Sequence, residues 1–458
     1  MLTRGAWRVN FFEANPLSER DVVERGWICY HVARAGHVEV STGRSCLGRY
    51  LMSNVLIEEE LLKCARCGKC RSQCPVFLEV GSELCVARGR IMLLDAYVKG
   101  DLPFSNKVKE SMMTCLRCLR CQENCPSGVN VDTLLNFARE KMAEELGVPL
   151  LGRVIFRCVL PRRRLFNALI RLGSIFQNLL PRSKQNGHLR HLPLLFGGKR
   201  RIPNLSKRSA LKALPEISKA EDEKKRVAFF VGCLTNYSYA RVAKDIVELL
   251  NRNGVTVVTP KGQLCCGQPV ISYGDIKAAN NLALRNIEAL NATGCDAIVT
   301  GCASCGRMLR KEYEALLGES AAEFGKKVYD VGEYIAKFLT PSFVRRSETV
   351  TYHDPCHLNW GQGISSEPRQ LLMAAGDYRE MANAKRCCGG GGSFSLFHYD
   401  LAAKITDHKV GSIADSPAEV VVTSCPGCML QMQDRLASAG VNKRVEHIAE
   451  FLLKSMRQ

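Results

Sequence analysis

The sequence has few aromatic residues and no long apolar run. Aromatic side chains occupy 7% of the 458 positions, and only 3 of them are tryptophan. No apolar run approaches the ~18 residues that a bilayer-spanning helix needs, which argues against an integral membrane protein. The first twenty residues lack the apolar core of about 7–15 residues found in export signals. We therefore expect a cytoplasmic protein.

Nucleotide- and flavin-binding motifs are also absent from the sequence. No G-x-G-x-x-G follows a predicted strand, so a dinucleotide-binding fold is not indicated. The glycine-rich stretch CCGGGGS at 387–393 lacks the Lys-Ser/Thr ending of a phosphate-binding loop. We expect no flavin in this chain.

Cysteine, by contrast, is abundant, with 23 residues in the chain. Disulfides do not persist in a reducing cytosol. A large number of reduced cysteines in such a chain indicates metal binding.

Positive charge is concentrated in one stretch. The net charge is +19, and residues 150–226 contain 19 Lys and Arg against 4 acidic residues. Apolar residues recur at helical spacing between these arginines, which predicts an amphipathic helix suited to a membrane surface or a partner subunit. A solvated helix packed on its own protein remains an alternative. No nucleic-acid-binding motif accompanies the charge, so we expect no nucleic acid as partner.

Two cysteine runs lie in the amino-terminal third. Each reads Cys-x2-Cys-x2-Cys-x3-Cys-Pro, the bacterial ferredoxin pattern, in which the fourth cysteine binds the other cluster of a pair. Zinc is a weaker reading, because a tetrahedral zinc site favours two separated pairs over an overlapping triplet. We predict two [4Fe–4S] clusters, the first on Cys64, Cys67, Cys70 and Cys125 and the second on Cys115, Cys118, Cys121 and Cys74.

The carboxyl-terminal half is an internal repeat. Each copy contains a cysteine, a Cys-Cys-Gly and a Cys-x2-Cys, and the intervening gaps are 31 and 34 residues in one copy and 30 and 35 in the other. A vicinal disulfide at each Cys-Cys would leave the other six cysteines unexplained. We predict two five-thiol metal sites, the first on Cys233, Cys265, Cys266, Cys302 and Cys305 and the second on Cys356, Cys387, Cys388, Cys425 and Cys428.

Short apolar runs precede several of these cysteines, and helical patterns separate the runs. RVAFF leads to Cys233 and EVVVT leads to Cys425, for example. Strands that alternate with helices predict parallel α/β units. The cysteines then lie near the carboxyl ends of the strands, where open α/β sheets bind their ligands.

This constellation resembles the CCG-domain iron–sulfur proteins over about residues 58–458. LLKCARCGKCRSQCPVF, HDPCHL and TSCPGCMLQMQDRL look most like the iron–sulfur subunit of glycolate or lactate oxidase. The resemblance implies an electron-transfer subunit that receives electrons from an FAD-containing 2-hydroxy-acid dehydrogenase subunit. A membrane quinone system or another electron carrier would be the acceptor, with the chain peripheral on the inner face of the membrane.

The same family contains the catalytic subunits of heterodisulfide reductase. There, a complete five-cysteine set implies a noncubane [4Fe–4S] cluster that cleaves a disulfide. Many glycolate oxidase subunits have degraded sets, whereas this chain keeps all ten cysteines. A disulfide reductase is therefore the alternative function, and the residues that would carry its catalysis are not identified by the sequence.

The expected architecture is a multidomain α+β protein, with an α-helical two-cluster ferredoxin domain followed by two repeated parallel-sheet CCG domains. Residues 1–57 carry no motif, and we treat them as an appendage. The predicted segments are 1–57 (unassigned), 58–147 (ferredoxin domain), 148–225 (basic amphipathic linker), 226–342 (first CCG domain) and 343–458 (second CCG domain).

Some residues near the predicted sites have ambiguous roles. His353 and His357 flank Cys356, where they could bind iron or move protons; we expect the commoner role of hydrogen-bonding a loop. Lys69, Arg71, Arg117 and Arg120 either raise the potential of a cluster or lie on the solvated surface. Cys85, Cys158 and Cys295 match no site, and we expect them to be structural.

Overall fold

The computed structural model describes residues 31–32, 38–39, 54–181, 189–191 and 201–456. The chain divides into two compact units, Met1–Arg49 and Tyr50–Gln458. In the first unit, β1 (His31–Val32) pairs antiparallel with β2 (Val38–Glu39). Most of the predicted 1–57 segment, including Cys29 and Cys46, lies outside the described residues.

Short helices surround the two cysteine runs. Their apolar faces form a core around Ile57, Leu94, Met112 and Leu134, all of which are buried. The first helix begins at Asn54, so the predicted boundary at residue 57 lies inside a helix. The elements are α1 (Asn54–Leu62), α2 (Lys69–Gln73), α3 (Pro75–Val80), a 3₁₀ turn (Glu83–Cys85), α4 (Ala87–Val98), α5 (Asn106–Met113), α6 (Arg120–Glu123) and α7 (Val131–Glu145).

The basic linker is helical in its first half, as the apolar spacing predicts. After it, short strands and one helical turn lead into the first α/β domain. The elements are α8 (Leu150–Val154), a π-helical turn (Ile155–Val159), α9 (Arg163–Phe176), a 3₁₀ turn (Gln177–Leu179), β3 (Leu189–His191), β4 (Arg201–Pro203) and α10 (Ala210–Ala213).

The first repeat contains a five-stranded sheet in the order β5-β7-β6-β8-β9, in which β5 alone is antiparallel to its neighbour. Its elements are β5 (Ile217–Ser218), β6 (Lys225–Phe230), α11 (Cys233–Tyr237), α12 (Ala240–Arg252), β7 (Val255–Val258), α13 (Gln268–Ile271), α14 (Ile276–Asn291), β8 (Ala297–Thr300), α15 (Ala303–Arg307), a π-helical turn (Met308–Glu312), α16 (Tyr313–Leu317), α17 (Glu319–Lys326), β9 (Val328–Asp330) and α18 (Val331–Phe338).

The second repeat contains a four-stranded parallel sheet in the order β11-β10-β12-β13, which matches the parallel part of the first sheet. Its elements are β10 (Thr349–Tyr352), α19 (Cys356–Gln362), α20 (Ser366–Ala375), β11 (Asp377–Tyr378), α21 (Ser393–Phe397), α22 (Tyr399–Ala414), β12 (Val420–Thr423), α23 (Pro426–Ala439), β13 (Arg444–His447) and α24 (Ile448–Lys454).

One inner strand of each sheet, β7 and β12, is buried along its length. Val255–Val258 and Val420–Thr423 have no exposed residue. Helices cover both faces of such parallel sheets, which explains why the strands read as continuous apolar runs. The expected parallel α/β repeats are therefore present. Among the described helices, none combines the length and apolar character needed to cross a bilayer.

Candidate metal centres

The first predicted ferredoxin-type set surrounds a small cavity between the two cysteine runs. Cys64, Cys67, Cys70 and Cys125 all line this cavity. Cys125 comes from the second run, so the structure brings together the thiols that the crossed pattern predicts. Their assignment as ligands of one cluster remains a prediction.

The second set surrounds an adjoining cavity. Cys74, Cys115, Cys118 and Cys121 line it, and here the contribution from the other run is Cys74. Cys121 also lines the first cavity, so the two thiol sets are immediate neighbours. Burial raises the pKa of Cys74 to about 11 and raises that of Cys121.

The two cysteine loops share an unusual backbone conformation. Arg66 and Gly68 have positive φ angles in the first run, and Arg117 and Leu119 have them at the same positions in the second. Non-glycine residues adopt positive φ at a cost in free energy, and such residues cluster at functional sites. This conformation coils each run so that three thiols face one cavity.

The first CCG site forms an unbroken series of thiol contacts. Side-chain hydrogen bonds join Cys233 to Cys265, Cys265 to Cys266, Cys266 to Cys305 and Cys305 to Cys302. The thiols of Cys265 and Cys305 lower the pKa of Cys266 to about 6. All five predicted residues are therefore brought together.

The second CCG site repeats this series. Cys356 and Cys387 have Sγ atoms 3.5 Å apart, and those of Cys388 and Cys428 are 3.3 Å apart. Cys387 contacts Cys388, and Cys428 contacts Cys425. Hydrogen bonds from Cys387 and Cys428 hold the pKa of Cys388 well below its ordinary value. A thiolate stabilised by neighbouring thiols is suited to binding metal, because the thiolate is the ligand form of cysteine.

Two further thiol contacts connect the sets. Cys118 of the ferredoxin-type half lies in one apolar cluster with Cys387, and the interaction of the two thiols lowers the pKa of Cys118 to about 7. Cys302 of the first CCG site interacts with Cys425 of the second, beside a backbone hydrogen bond from Ala303 N to Ser424 O at 3.1 Å. The second CCG site thus lies between the ferredoxin-type half and the first CCG site, an order that differs from the order of the repeats along the chain.

The chemistry of the site residues suits iron–sulfur clusters, and so does the backbone around them. Every cysteine in the described part of the chain is a free thiol. Gly232 lies where a side chain would crowd a sulfur, because an added Cβ would be 3.0 Å from Cys305 Sγ. Backbone N–H groups also reach sulfur, and Gly389 N lies 3.4 Å from Cys387 Sγ. Such hydrogen bonds tune the potential of a bound cluster.

A buried ion-pair network joins the ferredoxin-type half to the first CCG domain. Arg117 pairs with Asp132 at 3.0 Å and with Glu312 at 3.2 Å, and Arg307 approaches the same two carboxylates at 2.6 and 2.5 Å. Burial opposes ionisation of Asp132, yet the two arginines hold its pKa well below its ordinary value. Arg117 is therefore buried rather than on the solvated surface, and an influence on the potential of the neighbouring cluster stays a prediction.

The two histidines of the HDPCH sequence differ in role. His357 Nε2 donates to the backbone oxygen of Arg117 at 2.9 Å, and its Nδ1 lies 3.1 Å from Ser304 Oγ. Burial lowers the pKa of His357 to about 4, so the imidazole is neutral. His357 therefore bridges all three domains by hydrogen bonds, the role expected of it. His353 is fully buried, and neither of its ring nitrogens has a hydrogen-bond partner of ordinary geometry.

Sequence reasoning missed one charged residue beside the second CCG site. Lys409 is fully buried, and its Nζ donates to the backbone oxygens of Asn383 and Ala384 at 2.5 and 3.0 Å. Burial lowers its pKa to about 8, while the nearby Cys388 opposes that shift. A lysine on the buried face of the helical pattern YDLAAKITDHKVGSIA was the available signal.

The three unassigned cysteines make other contacts. The carbonyl oxygen of Cys85 accepts a hydrogen bond from the Cys74 thiol, Cys158 is exposed, and the Cys295 thiol donates to Thr293 O. None of the three completes one of the thiol sets.

Two family models match the chain. A 4Fe-4S dicluster domain matches residues 60–129, and the CCG cysteine-rich domain matches twice, at residues 227–310 and 350–433. The matches cover both cysteine runs and both five-thiol sets.

Three relatives indicate the functions found among similar proteins. The "Probable glycolate oxidase iron-sulfur subunit" of Bacillus subtilis (strain 168) is 33% identical over 87% of this chain and 94% of the relative. "Lactate utilization protein A" of Geobacillus kaustophilus is 32% identical over 50% of this chain and 98% of the relative. A CoB–CoM heterodisulfide reductase subunit of Methanosarcina mazei is 27% identical over 87% of this chain and 94% of the relative. The chain therefore belongs to the CCG-domain family of iron–sulfur oxidoreductase subunits, together with the glycolate oxidase iron–sulfur subunits.

Proposed function

We propose that this chain is the electron-transfer subunit of a flavin-dependent 2-hydroxy-acid dehydrogenase that acts on glycolate or lactate. One observation carries the proposal: four thiol sets follow one another in direct contact, through the shared Cys121, the Cys118–Cys387 pair and the Cys302–Cys425 pair. A continuous series of redox sites suits transport of electrons between partners.

Bound iron–sulfur clusters supply one-electron chemistry over a wide range of potentials. The chain would bind them through the eighteen cysteines of the four sets. Its own contributions are burial of the CCG thiols, which excludes water, and the ion pairs that hold the ferredoxin-type half against the CCG domains. The oxidation of the hydroxy acid belongs to an FAD-containing partner subunit.

The proposal is tested with anaerobically purified protein. We expect about sixteen irons per chain, since four [4Fe–4S] clusters contain that number. Glycolate or lactate alone should leave the visible absorbance of the chain unchanged, whereas adding a flavin-containing hydroxy-acid dehydrogenase subunit should bleach it. Bleaching by the hydroxy acid without a flavoprotein would contradict the proposal.

A disulfide reductase is the second candidate, favoured by the completeness of both five-thiol sets and by the Cys302–Cys425 contact between them. Here the chain, reduced by a viologen, would convert a disulfide to two thiols without a flavoprotein. Thiol release from cystine, glutathione disulfide or another small disulfide would favour this function. Its absence across such a series, with hydroxy-acid-dependent bleaching retained, would favour electron transfer.

For the basic segment, Leu150–Leu179, we propose peripheral attachment to an anionic membrane surface. Its inner face packs on the first CCG domain, where Arg163 donates to Gln263 O at 2.7 Å and Phe166 stacks edge-on against Tyr237. Its outer face exposes Leu172, Ile175, Phe176 and Leu179 beside Arg162, Arg164 and Arg171. Exposed apolar residues among arginines suit the interface of an anionic bilayer, and a quinone pool there could accept the electrons.

Vesicle co-sedimentation tests this attachment. The protein should bind vesicles that contain phosphatidylglycerol and not vesicles of phosphatidylcholine alone, with binding weakened by salt. Ile175→Glu should abolish binding, whereas Leu284→Glu, at a leucine 50% exposed elsewhere, should not. Equal binding to both vesicle types, or no effect of Ile175→Glu, would assign the segment to a protein partner instead.

A further inference from the structure

The second CCG site contains a histidine that the first site lacks. His353 lies three residues before Cys356, and the residue three positions before Cys233 is Phe230. Both side chains are fully buried at the end of the equivalent strands β10 and β6. The fold therefore accepts an apolar ring at this position, and the imidazole is not required for packing.

The imidazole faces the thiols of the second site. A ring nitrogen of His353 and the Sγ atoms of Cys388 and Cys428 all lie within 4.8 Å of one another. The backbone holds the ring there, because His353 N donates to Val422 O of the neighbouring strand at 2.9 Å. The ring interacts with the Cys388 thiol, although neither of its nitrogens makes a hydrogen bond of ordinary geometry. The buried imidazole therefore has only the sulfurs of this site to satisfy it.

The three donor atoms lie close enough together for one metal ion to reach all of them. Metal–sulfur bonds of about 2.3 Å and metal–nitrogen bonds of about 2.0 Å put the donor atoms of a tetrahedral site roughly 3.5–3.8 Å apart. The 3.3 Å separation of the Cys388 and Cys428 sulfurs is close to that range. His353 is the non-cysteine member of this group of three potential donors, which are all buried.

We propose that His353 is an iron ligand at the second CCG site, which makes that site a mixed cysteine–histidine site and the first an all-cysteine site. Ligand identity affects the potential of an iron–sulfur centre, as Rieske clusters show, in which two histidines replace two cysteines. The two sites would then differ in potential although their cysteines match. The inference depends on cluster binding at this site, but not on whether a hydroxy acid or a disulfide is the substrate.

Pulsed EPR of the intact chain with ¹⁵N-labelled histidine tests the assignment directly. In the wild type, the second-site cluster should show strong hyperfine coupling to one imidazole nitrogen. The coupling should be lost in His353→Phe, which copies the first site, and kept in His357→Asn. Iron content measured in parallel should stay close to that of the wild type, because five cysteines remain.

The reciprocal change extends the test to the first site. Phe230→His should introduce a second histidine coupling, and His353→Phe should shift the potential of the second site without shifting that of the first. Absence of strong histidine coupling in the wild type, or its loss in His357→Asn alone, would overturn the proposal. A weak coupling accompanied by an exchangeable proton would also overturn it, because His353 would then be a hydrogen-bond donor to sulfur.

Discussion

The two CCG domains have the same strand order and the same series of thiol contacts, yet their surroundings differ. Gly391, within the glycine run of the second copy, packs against Leu116 of the ferredoxin-type half, and an apolar cluster there contains Cys118, Cys387 and Phe394. In the first copy, Gln268 and Pro269 follow the Cys-Cys-Gly and begin α13. The first copy is attached to the ferredoxin-type half by Arg307 and Glu312 instead.

Charge also distinguishes the copies. Lys409 is the eleventh residue of α22, and Asn286 is the eleventh residue of α14, the equivalent helix. Asn286 donates to Cys265 O at 2.9 Å, and Lys409 donates to the loop that precedes Cys387. Both residues therefore position the paired cysteines, but only Lys409 adds a buried positive charge. Repetition preserved the ligands, while the environment of each site diverged.

Removal of one paired cysteine should have the largest effect. Cys388→Ser and Cys266→Ser should each lose about a quarter of the iron, because each disables one of four cluster sites. Since the second site lies between the other two regions, Cys388→Ser should also prevent rapid reduction of the first site, whereas Cys266→Ser should leave reduction of the second site fast. Iron analysis and stopped-flow absorbance measure both effects. Equal kinetics in the two variants would disprove the spatial order.

Breaking the buried ion-pair network should be the next largest effect. Arg307→Ala leaves Asp132 and Glu312 partly uncompensated, which should lower the free energy of unfolding by about 3–5 kcal/mol. Arg435 of the second copy pairs with Asp407, a half-exposed carboxylate, so Arg435→Ala should cost at most about 1 kcal/mol. Urea denaturation monitored by circular dichroism measures the free energy of unfolding of both variants. Similar midpoints would show that the network does not hold the domains together.

The packing of Gly391 against Leu116 should be disturbed by the addition of a single methyl group. Gly391 has φ +53°, and an added Cβ would lie 2.5 Å from Leu116 Cδ2. Gly391→Ala should therefore destabilise the protein by about 1–3 kcal/mol and loosen the approach of Cys118 to Cys387. Gly411→Ala is the control, because nothing lies within 4 Å of its added Cβ. An unchanged denaturation midpoint in Gly391→Ala would mean that this packing is not tight.

Removing the buried charge of Lys409 should have the smallest effect of the four changes. Lys409→Met should lower the reduction potential of the second site, because a nearby positive charge favours the reduced, more negative cluster. Lys404→Met, on the exposed face of the same helix, should leave it unchanged. Potentiometric titration monitored by EPR measures the reduction potential of each site. A shift of the first site alone would place the electrostatic influence of Lys409 elsewhere.

Much of the fold was predictable from the sequence because its signals are local. The strands β6, β8, β10 and β12 coincide with the apolar runs that precede the cysteines. The two cavities contain the crossed thiol sets that the spacing predicts. Arg307, Glu312 and Lys409 were missed, because a charged residue in a helical pattern reads as solvated until its neighbours are known.

The sequence by itself determined the two cysteine runs, the duplicated five-thiol sets and the alternation of strands and helices, since these depend on covalent spacing and on which residues avoid water. Tertiary structure decided which sets meet. Cys118 reaches Cys387, and Cys302 reaches Cys425, through packing between distant segments. It also decided that His353 faces two thiols while His357 bridges domains. Such contacts depend on how whole domains dock, and no local pattern encodes that arrangement.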